Sequence, residues 1–157
     1  MSGHVRGSQR DPVTARGAGC EHFAVYGSLM SGLHPEDAPD TGGHLELVGP
    51  CTIRGGLYDL GDYPGLVPGA GAVVGELYRL RPGLAPCRVA EVLRLLDVYE
   101  RYDGRDLPGS LYTRRVVRLA DPDVDAWVYF FNRPAGRRPR VPSGNWRDYQ
   151  SRVVAQL

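Results

Sequence analysis

Glu100 stands where a carboxylate can do chemistry. Between Pro86 and Glu100, the apolar residues Val89, Val92, Leu93 and Leu96 fall at i, i+3, i+4 and i+7, the spacing of one helix face. Pro86 suits the first helical turn. Glu100 lies four residues past Leu96 and seven past Leu93, so a helix that persists this far turns a carboxylate inward. Buried acids are rare unless they are paired or used. From the residues alone, Glu100 is either a helix-end acid paired with an arginine or a general acid/base whose pKa burial raises towards neutrality. A second feature is Tyr26-Gly27-Ser28-Leu29, which ends the apolar run Phe23-Ala24-Val25-Tyr26. A strand that stops in Gly-Ser is commonly just a turn, but it also exposes successive backbone N–H groups able to bind a carboxylate.

Other constellations carry less. Gly69, Gly71 and Gly75 have the spacing GxGxxxG and precede a strand, where a dinucleotide fingerprint follows one and opens a helix. Asp121, Asp123 and Asp125 open like a calcium loop, but Ala126 stands where Gly is needed and Asn132 where a bidentate Glu belongs, so a solvated turn is expected. Cys20 and His22 have no second Cys/His pair to complete a zinc site, and no metal is expected. Cys51 with His44 is a spatial nucleophile pair only if the fold brings the two together. Arg133, Arg137, Arg138, Arg140 and Arg147, with Trp146 and Tyr149, form a basic and aromatic cluster. It reads as a solvated loop, with contact to RNA as the alternative.

These residues need a scaffold, and the pattern is one of short strands. Strands are expected at residues 23–26, 45–48, 52–58, 72–78, 111–119 and 126–131, with Gly- and Pro-bearing loops at 30–43 and 59–71. A short helix is expected after Tyr149. Many strands around one good helix, without βαβ alternation, argue for an α+β domain built on a curved sheet or small barrel. Residues 1–21 read as a flexible tail and 22–157 as a single domain, which is the core that 157 residues can bury. The basic residues are all arginine, 19 against 18 acids, so no lysine is present for Schiff-base chemistry. The net charge of +1 offers no global field for nucleic acid. No apolar run suits a membrane span or a secretory signal. Three widely spaced cysteines are not a disulfide framework, and a cytoplasmic setting is expected.

Five segments stand in one order: Tyr26-Gly27-Ser28-Leu29, the run from Gly56 through Tyr63-Pro64-Gly65, Val74-Gly75-Glu76-Leu77-Tyr78, Leu96-Asp97-Val98-Tyr99-Glu100 and Leu111-Tyr112-Thr113-Arg114. With them, from about Phe23 to Phe131, the chain resembles the γ-glutamylcyclotransferase-like family, which includes γ-glutamylamine cyclotransferases and AIG2-like proteins. The resemblance implies a small mixed β-barrel with flanking helices and a cavity at one end. It implies that the α-amine of a γ-glutamyl group attacks its own γ-carbonyl, releasing 5-oxoproline and an amine without cofactor or metal. It implies Glu100 as catalytic acid/base, with Tyr26, Gly27, Ser28 and Leu29 holding the glutamyl group and Tyr112 projecting a hydroxyl into the cavity. The implied partner is a small γ-glutamyl substrate, with the protein a monomer or homodimer. A member of the same fold that only binds a small ligand is the alternative. Relatives commonly carry Gly after the Glu. Here Arg101 alters the helix exit or sets a cation beside Glu100, lowering its pKa, and residues 101–109 are candidates for a cavity rim.

Overall fold

The computed structural model describes residues 19–30, 40–41 and 43–155. Most of the expected tail, residues 1–18, and most of the expected loop at 30–43 lie outside the described residues. The elements are β1 (His22–Val25), β2 (Leu45–Asp59), β3 (Pro64–Leu80), α1 (Pro86–Tyr99), β4 (Tyr112–Arg118), β5 (Asp125–Phe131) and α2 (Trp146–Ala155). The five strands form one mixed sheet in the order β2-β3-β1-β5-β4, an α+β arrangement. Only the central β1–β5 pair is parallel.

The β2–β3 hairpin is longer than the sequence pattern suggests. The expected breaks in β2 are register shifts next to Gly49 and at Gly55, and the strand runs through them. Gly55 has to be glycine, because a Cβ there would lie 2.7 Å from the Val67 carbonyl oxygen. The expected loop at 59–71 is a correction: β3 begins at Pro64, and only residues 60–63 turn. Proline is tolerated as the first residue of a strand, and glycines beside a bulge allow two backbones to approach. Gly and Pro here mark strand irregularity, where the sequence reading took them for loop.

Two apolar clusters fill the interior. Along β5, Ala126, Val128 and Phe130 join one and Tyr129 and Phe131 the other, the alternation of a strand covered on both faces. The first cluster includes Ile53, Leu57, Leu66, Leu77 and Trp146; the second is closed by α1 through Val92 and Leu96. The curled sheet is not a closed barrel. β2 meets the turn after β4 at one bridge, where Thr52 N–H donates to the Asp121 carbonyl at 2.7 Å and its carbonyl accepts from Ala120 N–H at 3.0 Å.

Much of the basic and aromatic cluster is spent on this architecture. Trp146 is buried, with Tyr149 stacked on it at 5.6 Å, and Arg147 pairs with Glu76 at 2.8 Å. Arg133 donates to the carbonyls of Pro108 and Ser110. Asp123 and Asp125 flank Arg118 at 3.7 and 3.1 Å.

α1 has Pro86 in its first turn and no side-chain cap at Ala85, so packing holds it. Burying Val92 and Leu96 contributes about 1.5–3 kcal/mol each. Its exit is fixed by two backbone bonds, Arg101 N–H to the Val98 carbonyl at 3.2 Å and Tyr102 N–H to the Asp97 carbonyl at 2.9 Å. This is a Schellman motif with Arg101 in its left-handed position, at φ 52. Glycine adopts that conformation freely, whereas a side chain costs about 1 kcal/mol or more. Arg101→Gly is therefore expected to stabilise the fold by about 1 kcal/mol, read as a melting temperature several degrees higher. An unchanged or lower value would show that the Arg101 side chain contributes packing that outweighs the backbone term.

Candidate active site

The turn after β1, the tip of the β2–β3 hairpin and the C-terminal end of α1 converge on a cavity of about 190 Å³. Tyr26, Gly27, Ser28 and Leu29 line one side, Tyr63 and Pro64 a second, and Tyr99, Glu100 and Arg101 a third, with Tyr112 and Tyr129 behind. Tyr26, Gly27, Ser28, Leu29, Glu100 and Tyr112, the residues the family resemblance implies, thus line one cavity.

The turn is shaped by close approach. Gly27 lies against the Pro64 ring, where a Cβ would stand 2.9 Å from Cγ. Met30 N–H donates to the Gly27 carbonyl at 3.0 Å, while the N–H groups of Gly27, Ser28 and Leu29 have no backbone acceptor among the described residues. Phenol hydroxyls tie the walls together. Tyr26 donates to the Tyr129 carbonyl at 2.6 Å and accepts from Leu66 N–H at 3.3 Å. The Ser28 and Tyr99 hydroxyls are 2.8 Å apart, joining the turn to α1. Tyr112 is expected to offer a hydroxyl to the cavity; it donates that hydroxyl to the Pro64 carbonyl at 2.7 Å, so it braces the hairpin tip.

Glu100 is the C-cap of α1, one turn beyond Leu96 on the buried stripe. Its carboxylate has no hydrogen bond or ion pair among the described residues, and burial pushes its pKa up to about 7. Arg101 does not hold this pKa down, one of the two effects expected of it: burial is the cause of the shift and its direction is upward. Of residues 101–109, Arg101 is the one that lines the cavity. Burial raises the Tyr26, Tyr112 and Tyr129 phenols too, with Glu100 adding to each, so all three remain protonated at neutral pH.

Sequence reasoning missed the support behind Glu100. One turn earlier on α1, Asp97 accepts from the Tyr129 hydroxyl at 2.6 Å and pairs with Arg114 at 2.9 Å. Arg114 in turn lies over the Trp127 ring at 4.3 Å. Tyr129 was visible as an alternating residue of β5, but nothing in its spacing tied it to Asp97. The Cys51–His44 pair does not form a site. Cys51 is buried in the core, its thiol pushed up to about 12 by burial, and His44 is seven residues away along an extended strand, about 20 Å. Among the described residues no group of three His, Cys, Asp or Glu side chains is placed to hold a metal, and no helix is long and apolar enough to cross a membrane.

Comparison with known proteins places this geometry. The model of the family "Gamma-glutamyl cyclotransferase, AIG2-like" matches residues 23–148. The chain is 33% identical over 125 residues to the γ-glutamylcyclotransferase family protein YtfP of Escherichia coli K12, covering 79% of this chain and 94% of that one. It is 32% identical over 124 residues to a putative γ-glutamylcyclotransferase of Vibrio cholerae, covering 78% and 91%. The solution structure of ytfP from Escherichia coli superimposes with a TM-score of 0.55 at 32% identity, over 82% of this chain and 98% of the other. A cavity at the end of a curled mixed sheet, walled by residues from four of the five segments that carry the resemblance, goes with a match across most of the chain: the protein belongs to the AIG2-like γ-glutamyl cyclotransferase family.

Proposed function

We propose that the protein is a γ-glutamyl cyclotransferase, releasing 5-oxoproline and a free amine from a small γ-glutamyl amide conjugate. The observation that carries this reading is Glu100, a half-buried carboxyl in the cavity wall beside the Ser28 turn, with no partner among the described residues and a pKa raised by desolvation to about 7. A group poised at that value can both take and return a proton at neutral pH.

The chemistry follows from what each group can do. The glutamyl α-ammonium cannot attack until it loses a proton, and ionised Glu100 accepts it. The freed amine forms a C–N bond to the γ-carbonyl carbon, and the carbonyl electrons move onto oxygen. The N–H groups of residues 27–29 are the donors suited to the glutamyl carboxylate or to that oxyanion. Collapse of the intermediate breaks the bond to the leaving nitrogen, which takes the proton back from Glu100. The ring nitrogen then gives up its extra proton to the departing amine through the re-ionised Glu100, so that a neutral lactam and an ammonium leave. Holding both reacting ends in one small cavity supplies the orientation term.

Release of 5-oxoproline, followed by mass spectrometry over a panel of γ-glutamyl amino acids and amines, is expected from the wild type. It should fall by at least ~100-fold in Glu100→Gln. A panel that is bound but never turned over would instead favour a ligand-binding role for the same cavity.

The pH profile has a defined sign. Glu100 must be ionised to accept the proton, so kcat/KM is expected to fall as pH drops through about 7. A profile flat from pH 6 to 8 would remove Glu100 as the base. Stability moves the other way. The folded-state pKa is raised, so the fold gains from protonated Glu100 at low pH and loses that gain as pH rises through about 7. Glu100→Gln is therefore expected to melt above the wild type at pH 8, with the gap closing towards pH 5. Equal melting temperatures at pH 8 would mean that the carboxylate is solvated in the fold.

A further inference from the structure

Among the described residues two charged side chains line the cavity, adjacent in sequence and unlike in setting: Glu100 within it and Arg101 exposed at its mouth. The rest of the described lining is apolar, phenolic or backbone, with the Ser28 hydroxyl held against Tyr99. Eight of the sixteen arginines among the described residues have a structural task. Arg79, Arg81, Arg88, Arg114, Arg118 and Arg147 are in ion pairs, and Arg133 and Arg138 donate to carbonyls. Arg101 forms no ion pair or side-chain hydrogen bond among the described residues. Its backbone holds the left-handed position of the helix exit, at φ 52, where glycine would be unstrained. A side chain kept in a sparsely populated conformation at the edge of a site is a reason to look for what it does there.

The direction of the substrate follows from the reaction. This inference rests on the cyclotransferase reading, in which the glutamyl end meets Glu100 and the 26–29 turn. The amine to be released then extends towards the opening, the route by which it must leave. An unpaired guanidinium at that opening attracts a carboxylate and repels an ammonium. We infer that Arg101 is a specificity residue for the leaving group, selecting γ-glutamyl conjugates whose released amine carries a carboxylate over those whose released amine is neutral or cationic. Polyamine and aminoglycoside conjugates are the class it selects against.

Three conjugates of similar size separate charge from shape: γ-glutamyl-glycine, γ-glutamyl-glycinamide and γ-glutamyl-ethylenediamine, whose released ends are anionic, neutral and cationic. 5-Oxoproline release gives kcat/KM for each with the wild type, Arg101→Gly and Arg101→Glu. Calorimetric titration of the same compounds into Glu100→Gln reads binding without turnover. The wild type is expected to favour the glycine conjugate over the glycinamide by about tenfold, the scale of one charge-assisted contact. That ratio should collapse towards one in Arg101→Gly and shift towards the cationic conjugate in Arg101→Glu. A preference that survives Arg101→Gly overturns the inference, as does its absence from the wild type. An equal loss on all three conjugates also overturns it, since Arg101 would then be reading the glutamyl carboxylate common to them. In each of those cases turnover itself leaves the cyclotransferase reading standing. Charge-ordered binding to Glu100→Gln without turnover by the wild type would overturn the reaction and keep the role of Arg101. Binding of none of the three would overturn both.

Discussion

A carboxyl without a partner stays buried only where its surroundings cannot relax to hydrate or pair it. In this protein that constraint falls on the C-terminal end of α1. Desolvation alone drives the Glu100 shift, so any loosening of the helix end would admit water and return the group towards an ordinary carboxylate. Three kinds of contact oppose that loosening. Val92 and Leu96 bury the stripe beneath the last turn, the Schellman bonds close the exit, and Asp97 is moored to β4 and β5 through Arg114 and Tyr129. The Ser28–Tyr99 hydroxyl contact adds a tie to the opposite wall. The price is conformational stability at neutral pH, a cost that active sites commonly carry.

The tyrosines explain how so small a cavity keeps its form. Five phenols line it, and the hydroxyls of four are committed to the protein itself: Tyr26 to the Tyr129 carbonyl, Tyr112 to the Pro64 carbonyl, Tyr129 to the Asp97 carboxylate and Tyr99 to the Ser28 hydroxyl. Each ring contributes apolar wall and each hydroxyl a strut, so the residues that seem made for substrate contact do their work by bracing. The contacts left for a ligand include backbone N–H groups, the Glu100 carboxyl and, at the mouth, the Arg101 guanidinium. That division suits a reaction in which the substrate supplies its own nucleophile and the protein needs mainly to orient it and move a proton.

Glu100 was legible because helical periodicity is a local signal: four apolar residues predict a face, and the fifth member of that face stands out when it is charged. The 26–29 turn was legible for a similar reason, through a strand ending in Gly-Ser. The first half of β3 was not. Pro64, Gly65, Pro68, Gly69 and Gly71 are loop signals taken one at a time; pairing with Gly56–Asp59 makes Pro64–Val67 strand, and residues 68–71 are the irregularity opposite Gly55. The parallel β1–β5 pair and the Asp97–Arg114–Tyr129 mooring were invisible because their partners are separated by up to about a hundred residues, beyond the reach of any periodicity. The departure at Arg101 was visible as a residue type, while its meaning depended on a backbone conformation. The expected curved sheet or small mixed barrel is a five-stranded curled sheet that does not close, with a single bridge between β2 and the turn after β4.

The anchoring of the hairpin tip bears on the order in which the molecule becomes complete. Tyr63 and Pro64 reach the cavity at that tip, and the tip is held from the far end of the chain. Asp59 N–H donates to the Pro139 carbonyl, Val141 N–H to the Leu57 carbonyl, and the Tyr149 hydroxyl to the Asp59 carboxylate. A chain leaving the ribosome has its hairpin, its helix and Glu100 well before residues 139–149 emerge. Until they do, the loop-closure entropy of these long-range contacts is unmet and the wall opposite Glu100 has no fixed position. A growing chain of this sequence therefore carries its acid before it has a chamber to put it in, and residues 139–149, made after it, finish that chamber.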